Sequence, residues 1–350
     1  MLNSFYPGEI WPDDHGVHIN AHGGGVLFED GVYYWYGEHR IEGTAGNVAH
    51  VGVHVYSSQD LMNWMDRGIA FDIRDGKVPE CPNGCIVERP KVLRSLTTGK
   101  YVMLFHYEAD KTYRNAAVGF AVSDTPIGPF VFHHIQRPNP GVWPVNTPEA
   151  LKDVALIAKT RETMADVSGG MNDKAPTLSI LGACLETGQE SRDMTLFRDD
   201  GGKTYHIYSS ERNATTHIAQ MTDDLLGYAG NYCRVFENRW MEGQAIFKHN
   251  GKYYIVASGC TGWAPNAARS AVADNIFGPW RELGNPAIGS ESEVTFRGQT
   301  NFALSLPYGR VILMLDRWNP QNAIDGRYLW LPVEFDGERP IIRPPVPWKL

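Results

Sequence analysis

One phrase recurs along this chain: a glycine followed closely by a run of aromatic and β-branched residues. It reads Gly31-Val-Tyr-Tyr-Trp-Tyr-Gly-Glu38, Gly99-Lys-Tyr-Val-Met-Leu-Phe-His-Tyr-Glu108, Gly202-Lys-Thr-Tyr-His-Ile-Tyr-Ser-Ser-Glu211 and Gly251-Lys-Tyr-Tyr-Ile-Val-Ala-Ser258. A weaker fifth copy is Gly309-Arg-Val-Ile-Leu-Met-Leu-Asp316. Aromatic and β-branched runs suit a pleated sheet, and the glycine suits the turn that opens it. A unit repeated at this spacing cannot bury its own apolar face. It must stack on its neighbours, in a line or around a ring.

The flanks of each copy show how large the unit is. In the first, Val26-Leu-Phe leads into the hairpin turn Asp30-Gly31, and Val51 to Tyr56 alternates before Ser57-Ser-Gln-Asp60-Leu-Met-Asn-Trp64. The second runs from Glu88 through Tyr101–Tyr107 and Ala117–Val122 to Gly128-Pro129-Phe130, and the fourth ends in the similar Gly278-Pro279-Trp280. Four strands per unit and five units predict an all-β, five-bladed β-propeller. A sandwich would share the turn frequency but not the four-strand period. The widest interval, between Gly99 and Gly202, contains Leu151, Val154 and Ile157 at helical spacing. This predicts a helical or loop insertion at about residues 141–190. No Gly/Ser or Pro linker divides the chain, so residues 1–350 read as a single domain.

Composition narrows the function. Hydrophobic residues make up 43% and charged ones 21%, as in an ordinary globular protein. The net charge is −8 with no Lys/Arg cluster, which argues against nucleic acid as a partner. No apolar run of about eighteen residues predicts a membrane span. Met1–Ile10 lacks the basic and apolar regions of a signal peptide. The expected location is cytoplasmic if Met1 is the native start, or secreted or periplasmic if a signal has been removed. The cysteines (Cys81, Cys85, Cys184, Cys233, Cys260) lack the paired spacing of a zinc site, and a structural or inert role is expected.

The chemistry is sought among carboxylates at repeat positions. Glu88 in Val87-Glu88-Arg89-Pro90-Lys91-Val92 and Glu242 in Met241-Glu242-Gly243-Gln244-Ala245 each open an apolar strand leading to a repeat glycine. In a propeller those strand starts face the axis. Two acids converging on one cavity suit glycosidic cleavage, where one protonates the leaving oxygen and another group activates water. The alternative is that each caps its strand and pairs with Arg89 or a lysine. Asp193, in Ser191-Arg192-Asp193, also precedes a repeat. Asp199-Asp200-Gly201-Gly202 lacks the spaced ligands of a calcium loop and reads as a turn. Ala21-His22-Gly23-Gly24-Gly25 has no Gly-Lys-Ser/Thr and reads as a tight bend at the axis. His22 is open to three roles: substrate contact, metal ligand or hydrogen-bonded structural residue. No Gly-x-Ser-x-Gly and no His-Glu-x-x-His is present, so serine-nucleophile and zinc hydrolysis have no support.

Taken together, these motifs resemble glycoside hydrolase family 43, and more narrowly its exo-β-1,3-galactanase branch. The resemblance rests on the Ser57–Trp64 element, Asn20-Ala-His-Gly-Gly-Gly25, Tyr33–Glu38, Glu88-Arg-Pro-Lys-Val92, Ser191-Arg-Asp193, Glu242-Gly-Gln-Ala-Ile-Phe-Lys248, Thr261-Gly-Trp-Ala-Pro-Asn266, Gly298-Gln299-Thr300 and Asp316-Arg-Trp318. It implies a five-bladed propeller that cleaves with inversion, with Glu242 as general acid. The aspartate base that opens the first blade in the wider family is replaced here by Ala21-His22-Gly23, an absence the branch shares. The resemblance then implies Gln299 as the residue that orients or deprotonates water, through its imidic tautomer. Gly298 and Thr300 stand where the branch more often has serines. Glu88 would tune the acid and hold a sugar hydroxyl; a neutral amide is a poor base, so Glu88 as base stays open beside this assignment. Glu38, Tyr113, Asp193, Asn213, Thr261 and Trp263 match positions that line the galactose pocket, and His22 is a further contact candidate. No metal or cofactor is implied; calcium occurs in the wider family, but no ligand cluster predicts it.

The expected activity is release of galactose from β-1,3-galactan, with a carbohydrate as substrate and neither nucleic acid nor membrane as partner. The competing expectations are a family 43 β-xylosidase or α-L-arabinofuranosidase, and a non-catalytic propeller that binds sugar or protein.

Overall fold

The computed structural model describes residues 1–48, 50–74, 78, 81, 85–110, 112–149, 152 and 177–350. In it every repeat glycine closes a hairpin between the first and second strands of a sheet. Gly31, Gly99, Gly202, Gly251 and Gly309 all have left-handed backbone, with φ of 80, 72, 81, 78 and 70°. A side chain is strained in that region, which is why a glycine marks each copy.

The sheets follow one another in chain order. Blade 1 is His22–Glu29, Val32–Arg40, His50–Ser58 and Met65–Asp72. Blade 2 is Ile86–Arg94, Tyr101–Glu108, Ala117–Ser123 and Val131–Gln136. Blade 3 is Met194–Arg198, Thr204–Ser210, Thr215–Met221 and Tyr228–Val235. Blade 4 is Met241–His249, Lys252–Gly259, Arg269–Ala273 and Arg281–Gly284. Blade 5 has three strands, Gln299–Ser305, Val311–Arg317 and Arg327–Pro332. Every blade is antiparallel throughout. The first strand of each blade packs against the first strands of its two neighbours, so the five close a ring around an axis. This is the five-bladed propeller that the repeats predict.

The core is divided in the same way. Five apolar clusters each fill one seam between adjoining blades. The seam between blades 1 and 5 is indole-rich: the Trp35 ring lies 4.8 Å from that of Trp330, 4.7 Å from Tyr328 and 5.4 Å from Trp64. Deleting a buried indole costs about 3–5 kcal/mol, so this seam contributes strongly to closure of the ring. The chain ends meet there too. Phe5 N–H donates to Trp348 O at 2.8 Å, and the Trp348 indole donates to Trp330 O at 2.8 Å.

Local motifs have local causes. In the Ser57–Trp64 element, Asp60 Oδ1 accepts the N–H groups of Met62 and Asn63, each at 2.8 Å, and folds the turn that buries Trp64. The Gly128-Pro129 and Gly278-Pro279 corners both contain cis peptide bonds. Cys81 and Cys85 form a disulfide, a pairing their spacing did not suggest. A short helix, Thr177–Ala183, lies within the 141–190 segment. The helical spacing at Leu151, Val154 and Ile157 falls outside the described residues. Among the described residues, no helix is long and apolar enough to cross a membrane.

Candidate active site

The first strands of blades 1, 2 and 4 lose register at the same point. The break falls between His22 and Gly25, between Glu88 and Lys91, and between Glu242 and Ala245. In each, the next residue is left-handed: Gly23 at φ 61°, Arg89 at 54° and Gly243 at 61°. A bulge adds a residue and re-aims its neighbours. His22, Glu88 and Glu242 are therefore equivalent in backbone position, opposite Glu38, His106 and Ser258. Lys91, buried on the axis, donates from Nζ to the carbonyls of Gly23 at 2.9 Å and Arg89 at 3.2 Å and so ties two bulges together. Burial pulls its amine down to about 7.

Above the bulges lies a cavity that gathers Glu38, Glu88, Tyr113, Asp193, Asn213, Glu242, Trp263 and Gln299 from the expected set. Arg40, Asn47, Arg89, His106, Arg192 and Trp318 complete its main walls.

Two of the glutamates have opposite protonation chemistry. Enclosure and then the negative charge of Asp193 push the Glu242 carboxyl up to about 8, against the opposing pull of Arg89 and the Cys260 thiol. Asn213 Nδ2 donates to its Oε1 at 3.0 Å. For Glu88, burial alone would raise the carboxyl, but His106, then the Arg40 charge and the Tyr113 hydroxyl, bring it down to about 2. His106 Nδ1 is 3.0 Å from Glu88 Oε2, and Tyr113 donates its hydroxyl to Oε1 at 2.8 Å. On its other side, His106 Nε2 lies 3.0 Å from the buried Glu108. Burial would lower the imidazole, but these two carboxylates raise it to about 9, so it bridges them as a cation.

Arg89 links the remaining groups. Its Nη2 donates to Asp193 Oδ2 and to Gln299 Oε1, both at 2.7 Å, while its backbone N–H donates to Glu38 Oε1 at 2.9 Å. Glu38 is also paired with Arg40; burial nevertheless raises its carboxyl. Gln299 accepts a second hydrogen bond on Oε1 from the Trp318 indole at 2.8 Å and donates from Nε2 to Ser258 Oγ at 3.0 Å. The Arg89 guanidinium lies over Trp318, 5.3 Å from the indole ring centroid, and Trp318 meets Trp263 edge-on at 6.1 Å. Trp263 is 45% exposed and stands at the rim, where an apolar sugar face can stack on it.

Two expected contacts lie elsewhere. His22 is fully buried between blades 1 and 5, stacked on Tyr328 at 5.1 Å with Nδ1 3.6 Å from Asp316. It does not line the cavity; of the three readings open to it, the structural one fits this placement. Thr261 turns its hydroxyl back into its own loop, donating to Ala264 O at 2.5 Å and accepting from Asn266 Nδ2 at 2.7 Å. It shapes the loop that carries Trp263 and faces a neighbouring cleft with Cys260 and Arg269. Among the described residues, no three His, Cys, Asp or Glu side chains converge to hold a metal ion.

This arrangement has a close structural counterpart. A family 43 β-1,3-galactosidase solved with galactodeoxynojirimycin is 42% identical, superposes with a TM-score of 0.90, and the match covers 99% of this chain and 100% of that one. The chain belongs to glycoside hydrolase family 43. The family model for glycosyl hydrolases family 43 matches residues 177–313. This family 43 glycosidase also resembles an exo-β-1,3-galactanase from Phanerochaete chrysosporium solved with β-1,3-galactotriose, at 27% identity and TM-score 0.76, covering 97% of this chain and 67% of that one. An exo-β-1,3-galactanase from Clostridium thermocellum matches at 28% and 0.77, covering 99% and 68%. A β-D-galactofuranosidase of Aspergillus niger is 26% identical over 131 residues, which are 34% of this chain and 38% of that protein.

Several cavity residues of this family 43 glycosidase were not singled out from sequence. Arg40 follows Glu38, and His106 precedes Glu108, by two positions, the spacing that puts strand neighbours on one face. That period was the available signal. Arg89 occupies a left-handed position that is glycine in the equivalent bulges; from sequence it stands only as an ion-pair partner for a strand-opening glutamate, not as a cavity residue.

Proposed function

We propose that this enzyme releases galactose from the end of β-1,3-linked galactan with inversion at the anomeric carbon. The observation that carries the reading is Glu242, a carboxyl raised to about 8 on the wall of a cavity rich in hydroxyl-binding groups. A departing sugar oxygen needs a proton, and an acid that stays protonated near neutral pH can supply it.

In this reading Gln299 orients the attacking water. Arg89 and Trp318 fix its carbonyl, which keeps the amide in one orientation. Glu88 serves as a fixed anion rather than as the base. Both of its oxygens are engaged, and a carboxylate drawn down to about 2 takes a proton poorly. Its negative charge supports the raised acid, although Asp193 contributes more. Asp193, Asn213 and Arg89 face the sugar hydroxyls, and Trp263 offers the apolar platform. Side chains supply every step, so no resident metal is invoked. The galactose preference draws on the names of three solved relatives and the exo mode on those of two, of whose chains the match covers about two thirds. The Cys81–Cys85 disulfide favours an oxidising, extracytoplasmic setting over the cytoplasm.

The test is hydrolysis of β-1,3-galactobiose beside aryl β-galactopyranoside, β-galactofuranoside, β-xyloside and α-arabinofuranoside, for wild type and Glu242→Gln. Galactose release from the disaccharide, lost in the variant, is expected. Pentose or galactofuranose release without galactose from the disaccharide would replace the substrate assignment. Full activity in Glu242→Gln would remove the acid, and binding without turnover of any substrate would leave a sugar-binding propeller.

A further inference from the structure

The turn between the second and third strands of blade 3 passes through left-handed backbone for three successive residues: Glu211 at φ 51°, Arg212 at 60° and Asn213 at 69°. None is glycine, and of the three only asparagine visits this region readily. Such backbone persists where its surroundings over-determine it, and it concentrates at functional sites.

Glu211 provides the restraint. Its carboxylate is fully buried and faces four donors. Arg234 donates to it twice, from Nε at 2.6 Å and from Nη2 at 2.8 Å. Thr215 Oγ1 donates at 2.7 Å, and His217 Nε2 lies 2.8 Å from Oε1. Arg234 also pairs with Glu237 at 3.0 Å. The middle of the turn is held separately, by Arg212 N–H on Glu190 Oε2 at 2.8 Å. The far end reaches the next blade: the N–H of Arg239 donates to Ala214 O at 3.0 Å, just ahead of the strand that opens with Met241 and Glu242. Asn213 itself donates to Glu242.

Glu211, His217 and Arg234 do not line the cavity, so this buried ionic cluster holds no substrate. Well-packed apolar residues would stabilise a turn at least as well as a buried ion pair. What the ionic cluster adds is directional fixation of the residue at the end of the turn. We propose that Glu211 is a positioning residue: it locks the left-handed turn so that Asn213 holds the Glu242 carboxyl in its proton-donating orientation. This rests on Glu242 as the general acid.

The proposal separates from simple structural support by leaving-group dependence. A sugar leaving group needs protonation, whereas 2,4-dinitrophenolate departs without it. Wild type, Glu242→Gln, Glu211→Gln, Asn213→Ala, the Glu211→Gln/Asn213→Ala double variant and Thr215→Val are compared on β-1,3-galactobiose and on 2,4-dinitrophenyl β-galactoside. Glu211→Gln is expected to lose about tenfold or more in kcat/KM on the disaccharide and to stay within about threefold of wild type on the aryl substrate. Adding Asn213→Ala should lower the disaccharide-to-aryl ratio of kcat/KM little further, because both variants remove the same restraint on the acid, while loss of the Asn213 contact to sugar hydroxyls falls on both substrates alike. Thr215→Val, which removes one hydrogen bond and keeps the volume, should show the same selectivity at about threefold. It carries the test alone if Glu211→Gln does not fold. Selective loss in Glu242→Gln with equal loss on both substrates in Glu211→Gln or, failing that, Thr215→Val overturns the inference. So does a disaccharide-to-aryl ratio whose losses multiply in the double variant. Equal loss on both substrates in Glu242→Gln overturns the acid assignment itself and the inference with it.

Discussion

Arg89 Nη2 donates to Gln299 Oε1 at 2.7 Å, so a cation from blade 2 sets the orientation of an amide on blade 5. The Trp318 indole donates to the same oxygen. If this amide orients the attacking water, Gln299→Ala should lower kcat by about 10²-fold or more, with a much smaller effect on KM. Trp318→Phe keeps an aromatic ring but removes one of the two donors, and should cost about tenfold in kcat. Steady-state kinetics on β-1,3-galactobiose checks both. A Gln299→Ala enzyme with wild-type kcat would take this residue out of the mechanism.

The raised Glu242 carboxyl predicts an alkaline limit to activity. The acid must carry its proton, so kcat/KM should fall as pH rises past about 8. Asp193 contributes to that raised value through its negative charge, and asparagine removes the charge while keeping an acceptor for Arg89. Asp193→Asn should therefore move the alkaline limb to lower pH, by about one unit. A limb that stays in place or moves upward would contradict this origin for the shift.

His106 predicts a pH window for stability. Its imidazole is raised from 6.5 to about 9, so its contribution is complete below pH 6.5 and is lost as pH rises through 9. Its partner Glu88 is lowered from 4.5 to about 2, so that contribution is complete above pH 4.5 and is lost as pH falls through 2. The stability difference between wild type and His106→Gln should be widest between about pH 4.5 and 6.5 and should narrow on both sides. Denaturant unfolding across pH 3–10 measures it; a difference independent of pH would mean that the His106–Glu88 contact is not ionic.

The sequence made the fold legible because its repeat carries a physical marker. A hairpin with φ near 75° demands glycine, and Gly31, Gly99, Gly202, Gly251 and Gly309 all meet that demand. The same register located Glu88 and Glu242, because equivalent strand starts face one axis. It could not say which way a side chain points beyond a bulge. His22 shares the backbone position of the two glutamates yet turns to Asp316 and Tyr328 between blades. Thr261 lies apart from the cavity lining for a simpler reason: its own loop satisfies the hydroxyl internally. The positions of Arg89, Arg40 and Trp318 depend on closure of the ring, which brings blades 1, 2 and 5 together across more than two hundred residues of chain.

In the proposed mechanism the acid, the water and the sugar meet in a single displacement, whose stereochemistry can be observed directly. Proton NMR during the first minutes of hydrolysis of the methyl β-glycoside of β-1,3-galactobiose, before mutarotation, reports which anomer leaves the enzyme, because the blocked reducing end contributes no free galactose. Inversion predicts α-galactose as the first product from the non-reducing end, with the β anomer appearing only later. Initial release of β-galactose would contradict the account, because it requires a nucleophilic carboxylate where this site presents Gln299.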